Sequence, residues 1–506
     1  MRVAEPGVCL TERVDHVGDG FSNDSDTPSI AVGTVKCSSR VPDGVTSRLR
    51  RESIFAAVAV LAVFAPVLGD AAAVPFLAVA GLAFFGIRDG EWFETLALPG
   101  DKDEERLYGL VAFALAGAGL AVFASFPRSP LPYEAFAAAT LAVGGGRFGR
   151  EVVGRRSTDE FPLVAGYVAV GAAAALVGQV VVRLQLSAAA VESLGSVGPV
   201  GVGGGGGTAV SALGPAMPGA VFLAAVAALT AAFIRSLVFS RDAHITVVLV
   251  AFAVWGFIAL APTVSAPLIL FGLGVTGALG YISFALGTAS VPGMLTGVLS
   301  ALLAVVLGGI GWFLTLMSFY AVGGLASKYR FDEKADRGVA QENEGARGTG
   351  NVLANSAVAL VAVVGYAGAT HVDVPPSLFA FAFAGATATA MADTLSSEIG
   401  GLYDGPRLVT TLNRVEPGTD GAVTWQGEVA GLSGALVVGG IAAVGMPVAS
   451  PVIGGGIVVF AGVAGMTVDS LLGALIEGDR VGNQAVNFLA TLSGAVVAVA
   501  LGGVLL

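Results

Sequence analysis

The chain has 506 residues, of which 55% are hydrophobic and 12% charged, and its mean hydropathy is +0.81. That balance excludes a soluble globular domain, and a net charge of −11 argues against nucleic acid as a partner. Apolar runs of roughly 17–25 residues recur without the residue-by-residue alternation of a membrane β-barrel. The expected fold is therefore all-α, a polytopic helical membrane protein embedded in a lipid bilayer.

Residues 1–44 are rich in Asp, Ser, Gly and Val and lack the apolar core of a signal peptide, so a disordered tail is expected. Val45, in "VTSRLRRES", stands where an alternative start codon would be read, and an untranslated 1–44 is part of the same expectation. Cys9 and Cys37 both fall in this tail and supply neither a metal site nor a disulfide framework. Beyond it, acidic loops in which arginine greatly outnumbers lysine fit the high-salt cytoplasm of a halophile.

In chain order the runs predict about fifteen spans. They cover 53–69, 71–87, 107–126, 133–149, 161–182, 219–234, 245–261, 267–287, 293–309, 311–326, 352–370, 377–399, 427–446, 451–472 and 485–505. The stretch 293–326 is split at Gly308-Gly309, because one helix of that length would overshoot the bilayer. The Gly-rich segment 195–219 reads as a flexible linker. It divides an N-terminal bundle (45–234) from connecting spans (235–292) and a C-terminal domain (293–506). The 73 glycines suit close helix packing in lipid.

The positive-inside rule orients this chain. With "RLRR" (48–51) in the cytoplasm, nearly every Arg and Lys falls on that side, and only Arg128 and Arg183 fall outside. The N-terminus is then cytoplasmic and the C-terminus external, in the cell membrane.

On the cytoplasmic side five helix ends of the C-terminal domain carry polar residues at one depth, and intramembrane ionisable groups are costly enough to mark function. They include Asn355 in "RGTGNVLANSAVAL", Asp393 and Glu398 in "MADTLSSEIG", Asp469 in "GMTVDSLLGAL", and Asn483 and Asn487 in "GNQAVNFLATLSG". On one helix Asp393, Ser396 and Ser397 share a face while Glu398 is turned about 140° away, which makes Asp393 the better metal ligand. Between the helices, Pro417-Gly418-Thr419-Asp420-Gly421 is a turn whose amides could cradle an anion, flanked by Arg407 and Arg414. Carboxylates for Mg²⁺ beside arginines for phosphate point to phosphoryl chemistry. No Walker or protein-kinase signature is present, and His16, His244 and His371 are scattered. Lys328, Arg337 and Arg347 read first as positive-inside charge, and only second as groups that attract nucleotide.

The ordered set "RGTGNVLANS", "ADTLSSEIG", "GPRLVTTLNRVEPGTDGAVTWQGEVAGLSGAL", "GMTVDSLLGALI" and "NQAVNFLATLSGA" resembles the integral membrane family that includes plant phytyl-phosphate kinase. The resemblance spans about 293–506, with Ser356 and Ala422 departing from it. It implies transfer of a phosphoryl group from a nucleoside triphosphate, CTP being favoured, to an isoprenoid monophosphate. On that basis Asp393 and Asp469 would hold Mg²⁺, and Arg407 and Arg414 would hold phosphates with Gly418, Thr419 and Gly421. Asn355 and Asn487 would orient oxygens, while Glu398 would serve as base if the acceptor were an alcohol. Two other readings stay open: a polyprenol kinase or related lipid phosphotransferase, and a transporter that uses the same Asp/Asn site. The stretch "GGGRFGREVVGRRSTDEF" (144–161) is faintly similar to the glycine–arginine stretch of CTP-dependent polyprenol kinases but lacks the matching acidic residue ahead of it.

Overall fold

Backbone amides cannot be left unpaired in hydrocarbon, and this sequence answers by pairing them within helices almost throughout. The computed structural model describes residues 43–128, 130–195, 205–238, 242–340, 346–478 and 481–504. The expected tail falls outside these residues, as do Arg241 and Arg480.

The first helical run comprises α1 (Asp43–Val60), α2 (Ala65–Leu68) and α3 (Ala73–Gly81), joined by 3₁₀ turns and closed by a π-turn at Leu82–Gly86. A short α4 (Gly90–Leu96) precedes α5 (Tyr108–Ala124), α6 (Tyr133–Gly154), α7 (Glu160–Gly195), α8 (Gly205–Leu237), α9 (Ala243–Leu260) and α10 (Ala266–Ala285). Next come α11 (Val291–Leu303), α12 (Ile310–Lys328), the short α13 (Phe331–Asp336), α14 (Thr349–Ala367), α15 (Ala369–Val372) and α16 (Pro376–Gly400). A two-stranded antiparallel hairpin, β1 (Arg407–Leu408) and β2 (Ala422–Val423), pairs Arg407 with Val423 and Leu408 with Ala422. The chain closes with α17 (Trp425–Gly445), α18 (Pro451–Ile476) and α19 (Asn483–Gly503).

Among the described residues 12 helices are long and apolar enough to cross a membrane, against the fifteen spans expected. The difference has three physical sources. The run Ser47–Gly86 counts once, although Gly69 breaks it with a φ of 53° where the sequence divides into two spans. Helix α5 is only 17 residues long, and α6 carries Glu134, Arg147 and Arg150. The split at 308–309 is present, since Gly309 has a φ of 96° between the π-turn that ends α11 and the start of α12.

Helix α16 is the hub of the C-terminal domain. Residues from Ala380 to Ala392 are buried on nearly every side, as expected of a helix apolar all round. Its neighbours reach it through small residues. An ideal Cβ on Gly385 would lie 2.8 Å from the Gly494 carbonyl oxygen of α19, one on Gly462 of α18 would lie 2.9 Å from Ala388 Cβ, and one on Gly431 of α17 would lie 2.9 Å from the Ala392 carbonyl oxygen. With no lipid between them, backbones this close gain dispersion contact that larger residues would forbid. The N-terminal bundle has its own buried anchor: Arg147 Nε donates to Glu52 Oε2 at 2.6 Å, and the guanidinium stacks 4.2 Å from the centre of the Phe55 ring. Glu52 lies on α1, 95 residues ahead of Arg147 in the chain.

Because Gly385 meets backbone and not a pliant side chain, Gly385→Val should separate α16 from α19. Overpacking of this kind costs about 1–3 kcal/mol, and the expected outcome is a lowered melting temperature and loss of monodispersity in detergent, read by size-exclusion chromatography with a thermal ramp.

Candidate functional site

Four helix ends of the C-terminal domain meet at one end of the bundle: the starts of α14 and α19 and the finishes of α16 and α18. Asp393 on α16 and Asp469 on α18, placed together as metal ligands from the sequence, lie within hydrogen-bonding reach of each other. Asp469 Oδ1 is buried and has no partner among the described residues. Two carboxyl groups this close must share a proton or a cation. No group of three or more His, Cys, Asp or Glu able to hold a metal occurs among the described residues. Mg²⁺ commonly takes one or two carboxylates and leaves its other positions to water and phosphate, so the pair and its orphaned oxygen suit that ion better than a closed protein cage.

The two asparagines sit where the sequence put them, near the beginnings of α14 and α19. Asn355 is buried and donates to the Asn351 carbonyl at 3.0 Å, and Asn487 donates to Asn483 Oδ1 at 3.1 Å. Asn483 in turn hydrogen-bonds Glu477, just past α18. Burial and the nearby Asp420 raise the Glu477 carboxyl above its ordinary pKa, with the Asn483 bond acting in the opposite sense.

The hairpin loop packs onto the end of α18. A Cβ on Gly421 would fall 2.5 Å from both the Ser470 carbonyl oxygen and the Ala474 amide nitrogen, and the φ of 74° there also calls for glycine. This contact delivers Thr419 and Gly421 to the helix turn that carries Asp469. Within the turn, the Thr419 and Ala422 amides are already donated to the carbonyls of Glu416 and Thr419, which leaves fewer N–H groups for an anion than the sequence suggested. Gly418 is exposed with a φ of 83°. Arg407 and Arg414 are exposed; Arg407 donates to the Leu412 carbonyl at 2.6 Å within its own loop. Neither forms an ion pair among the described residues.

Glu398, on the other face of α16 as its spacing predicts, accepts from Lys334 Nζ at 2.5 Å. Both side chains are almost wholly buried, and Lys334 also donates to the carbonyls of Ala326 and Ser327 at 2.9 Å. Nothing in the sequence singles out Lys334, whose counter-ion lies 64 residues away.

Arg347, read from the sequence as surface charge, is instead buried, 9% exposed. Its carbonyl accepts from the Ser290 amide and its amide donates to the Thr288 carbonyl, which ties it to the α10–α11 turn. The guanidinium donates to Thr394 Oγ1 at 3.3 Å, stacks 5.3 Å from the Phe319 ring centre, and leaves Nε unpartnered among the described residues. Burial lowers its pKa, while the carboxylates of Glu398 and Asp393 act to raise it. A signal was available, since Arg347 opens the stretch "RGTGNVLANS".

A bundle with 12 helices, among the described residues, long and apolar enough to cross a membrane, and with a carboxyl pair, a buried guanidinium and a docked glycine loop at one end, is an integral membrane protein whose polar groups gather at that end. Residues 274–495 match the family described as integral membrane protein DUF92. An uncharacterized membrane protein of Methanocaldococcus jannaschii is 34% identical over 197 residues, 38% of this chain and 76% of that protein. One from Synechocystis is 28% identical over 204 residues, again 38% and 76%. The chloroplastic protein VTE6 of Arabidopsis thaliana is 32% identical over 141 residues, 26% of this chain and 41% of VTE6. No solved structure matches. The chain belongs to the DUF92 integral membrane family.

Removing one partner of a buried ion pair strands the other charge at a cost of about 3–5 kcal/mol. Lys334→Met and Glu398→Leu should each lower the thermal unfolding temperature in detergent, and the double variant should recover most of the loss. Equal losses that simply add would show that the two side chains act independently.

Proposed function

We propose that this protein is a membrane-embedded kinase that moves a phosphoryl group from a nucleoside triphosphate, CTP favoured, to an isoprenoid monophosphate such as geranylgeranyl or phytyl phosphate. The observation that carries the reading is the meeting of Asp393 and Asp469 beside the buried guanidinium of Arg347. The resemblance of the C-terminal motifs to the family of plant phytyl-phosphate kinase, and the partial similarity to VTE6, support the same class. By the positive-inside orientation the site opens to the cytoplasm of the cell membrane, where nucleotides are found.

Asp393 and Asp469 would hold Mg²⁺, which supplies charge to offset the meeting of two polyanions. Arg347 binds an acceptor phosphate oxygen through its free Nε edge, and the Glu398–Lys334 pair positions it. Asn355 and Asn487 orient oxygens, and the loop of Gly418, Thr419 and Gly421 with Arg407 and Arg414 steadies the nucleotide. An acceptor phosphate oxygen forms the new bond to the γ-phosphorus. The bond from that phosphorus to the β-phosphate bridging oxygen breaks, and the nucleoside diphosphate departs with its electron pair. The acceptor is already ionised, so no general base is required. Glu398 is held by Lys334 on the face of α16 turned away from Asp393, which does not place it beside the carboxyl pair as a base for an alcohol and favours the monophosphate over a polyprenol.

Purified protein in lipid with Mg²⁺ and labelled nucleoside triphosphate should yield diphosphate from geranylgeranyl phosphate and leave geranylgeraniol unchanged. Product from the alcohol alone would move the assignment to the polyprenol kinases, and no transfer at low or high salt would favour a transporter. Asp393→Asn and Asp469→Asn should each abolish transfer while the melting curve in detergent stays close to that of the parent. Full activity in either variant would remove the metal assignment.

A further inference from the structure

The site has two sides, and the second is a cavity of ≈ 320 Å³ between α10, α11 and α12, of a size that holds small molecules. Its walls are almost entirely apolar or small, with Gly280, Met294, Gly297, Ala301 and Met317 among them. Arg347 lines it too. On the outer side Leu279, Ile282, Leu286 and Leu325 line the same cavity and are exposed on the surface of the bundle, where hydrocarbon meets a membrane-spanning chain. The cavity therefore adjoins both the bilayer and a buried cation that interacts with Asp393. All its lining residues lie within the family-matched segment 274–495.

We propose that this cavity is the acceptor subsite: the hydrocarbon chain of a lipid monophosphate enters sideways between α10 and α12, and its phosphate rests on Arg347 next to the Asp393–Asp469 pair. The proposal rests on the kinase reading for the identity of the lipid. Its physical basis is separate. A nucleotide needs polar walls for base and sugar, whereas here most of the wall is apolar and the hydroxyls of Thr276, Ser283 and Thr288 are already hydrogen-bonded within the protein. An amphiphile with one anionic head needs an apolar slot ending in one desolvated cation, which it has. Desolvation favours the match further, because a guanidinium already stripped of water interacts strongly with phosphate oxygens. Gly297 sets the bore of the slot. A Cβ there would sit 3.8 Å from Tyr320 Cε2, an ordinary contact, so a larger side chain can be accommodated by the backbone but must project among the groups around the cavity.

The test uses the full chain in nanodiscs and a geranylgeranyl phosphate analogue with a photoreactive tail. Crosslinked peptides should map to α10, α11 and α12. Labelling should be competed by geranylgeranyl phosphate far better than by geranylgeraniol or inorganic phosphate. That separates a lipid-borne phosphate from a free one. Arg347→Gln should weaken this competition about tenfold or more, the loss expected for one charge-assisted contact. Gly297→Leu should lower the preference for geranylgeranyl over dimethylallyl phosphate in competition, and in kcat/KM if transfer occurs. That variant carries the test if Arg347→Gln folds poorly. Crosslinks elsewhere, or an unchanged chain-length preference in Gly297→Leu, would overturn the subsite even if transfer is observed. Conversely, the expected labelling without any transfer would retain the lipid-phosphate subsite and remove the kinase.

Discussion

Everything at the site depends on how closely other backbones can approach α16. In lipid there is little gain from merely hiding apolar surface, so helices associate where dispersion contact is dense, and that requires residues without bulk. Gly385 against Gly494, Gly462 against Ala388 and Gly431 against Ala392 meet that requirement along one helix. Only because α18 comes this near can Asp469 reach Asp393. The carboxyl pair is thus a product of glycine and alanine within about two helical turns of it, and a methyl group added there would be felt at the charged end.

The two faces of α16 at its charged end do different physical work. Toward α18 lies the carboxyl pair Asp393–Asp469, which cannot stay doubly ionised unaided and must share a proton or a cation. Toward α13 lies a pair of opposite charges, Glu398 with Lys334, in which Oε2 is taken by the ammonium while Oε1 has no partner among the described residues. Arg347 is placed between them, interacting with both Asp393 and Glu398. Because Lys334 pairs with Glu398, the carboxylate charge near Arg347 is shared between two cations, and the guanidinium Nε is left without a partner among the described residues.

The helical architecture was legible because bilayer thickness imposes a length on every span, and composition alone reveals runs of that length. The opposite orientations of Asp393 and Glu398 were legible for the same kind of reason, since 100° per residue is a property of any helix. Lys334 and Arg347 were not. Whether a cation near a membrane border is surface charge or buried partner depends on which carboxylate folds over it, and that is set by tertiary packing across dozens of residues. The number of spans was blurred where α6 brings charge into the bundle, because Arg147 is paid for by Glu52 of a distant helix.

The Lys334–Glu398 pair also bears on how the protein is made. Ribosomes deliver the chain from its N-terminus, so α13 is synthesised before α16, and the ammonium exists before its carboxylate. In the folded protein that ammonium also donates to the Ala326 and Ser327 carbonyls, at the end of a helix that likewise precedes α16 in the chain. Synthesis order thus places the buried ammonium of this pair ahead of its buried carboxylate.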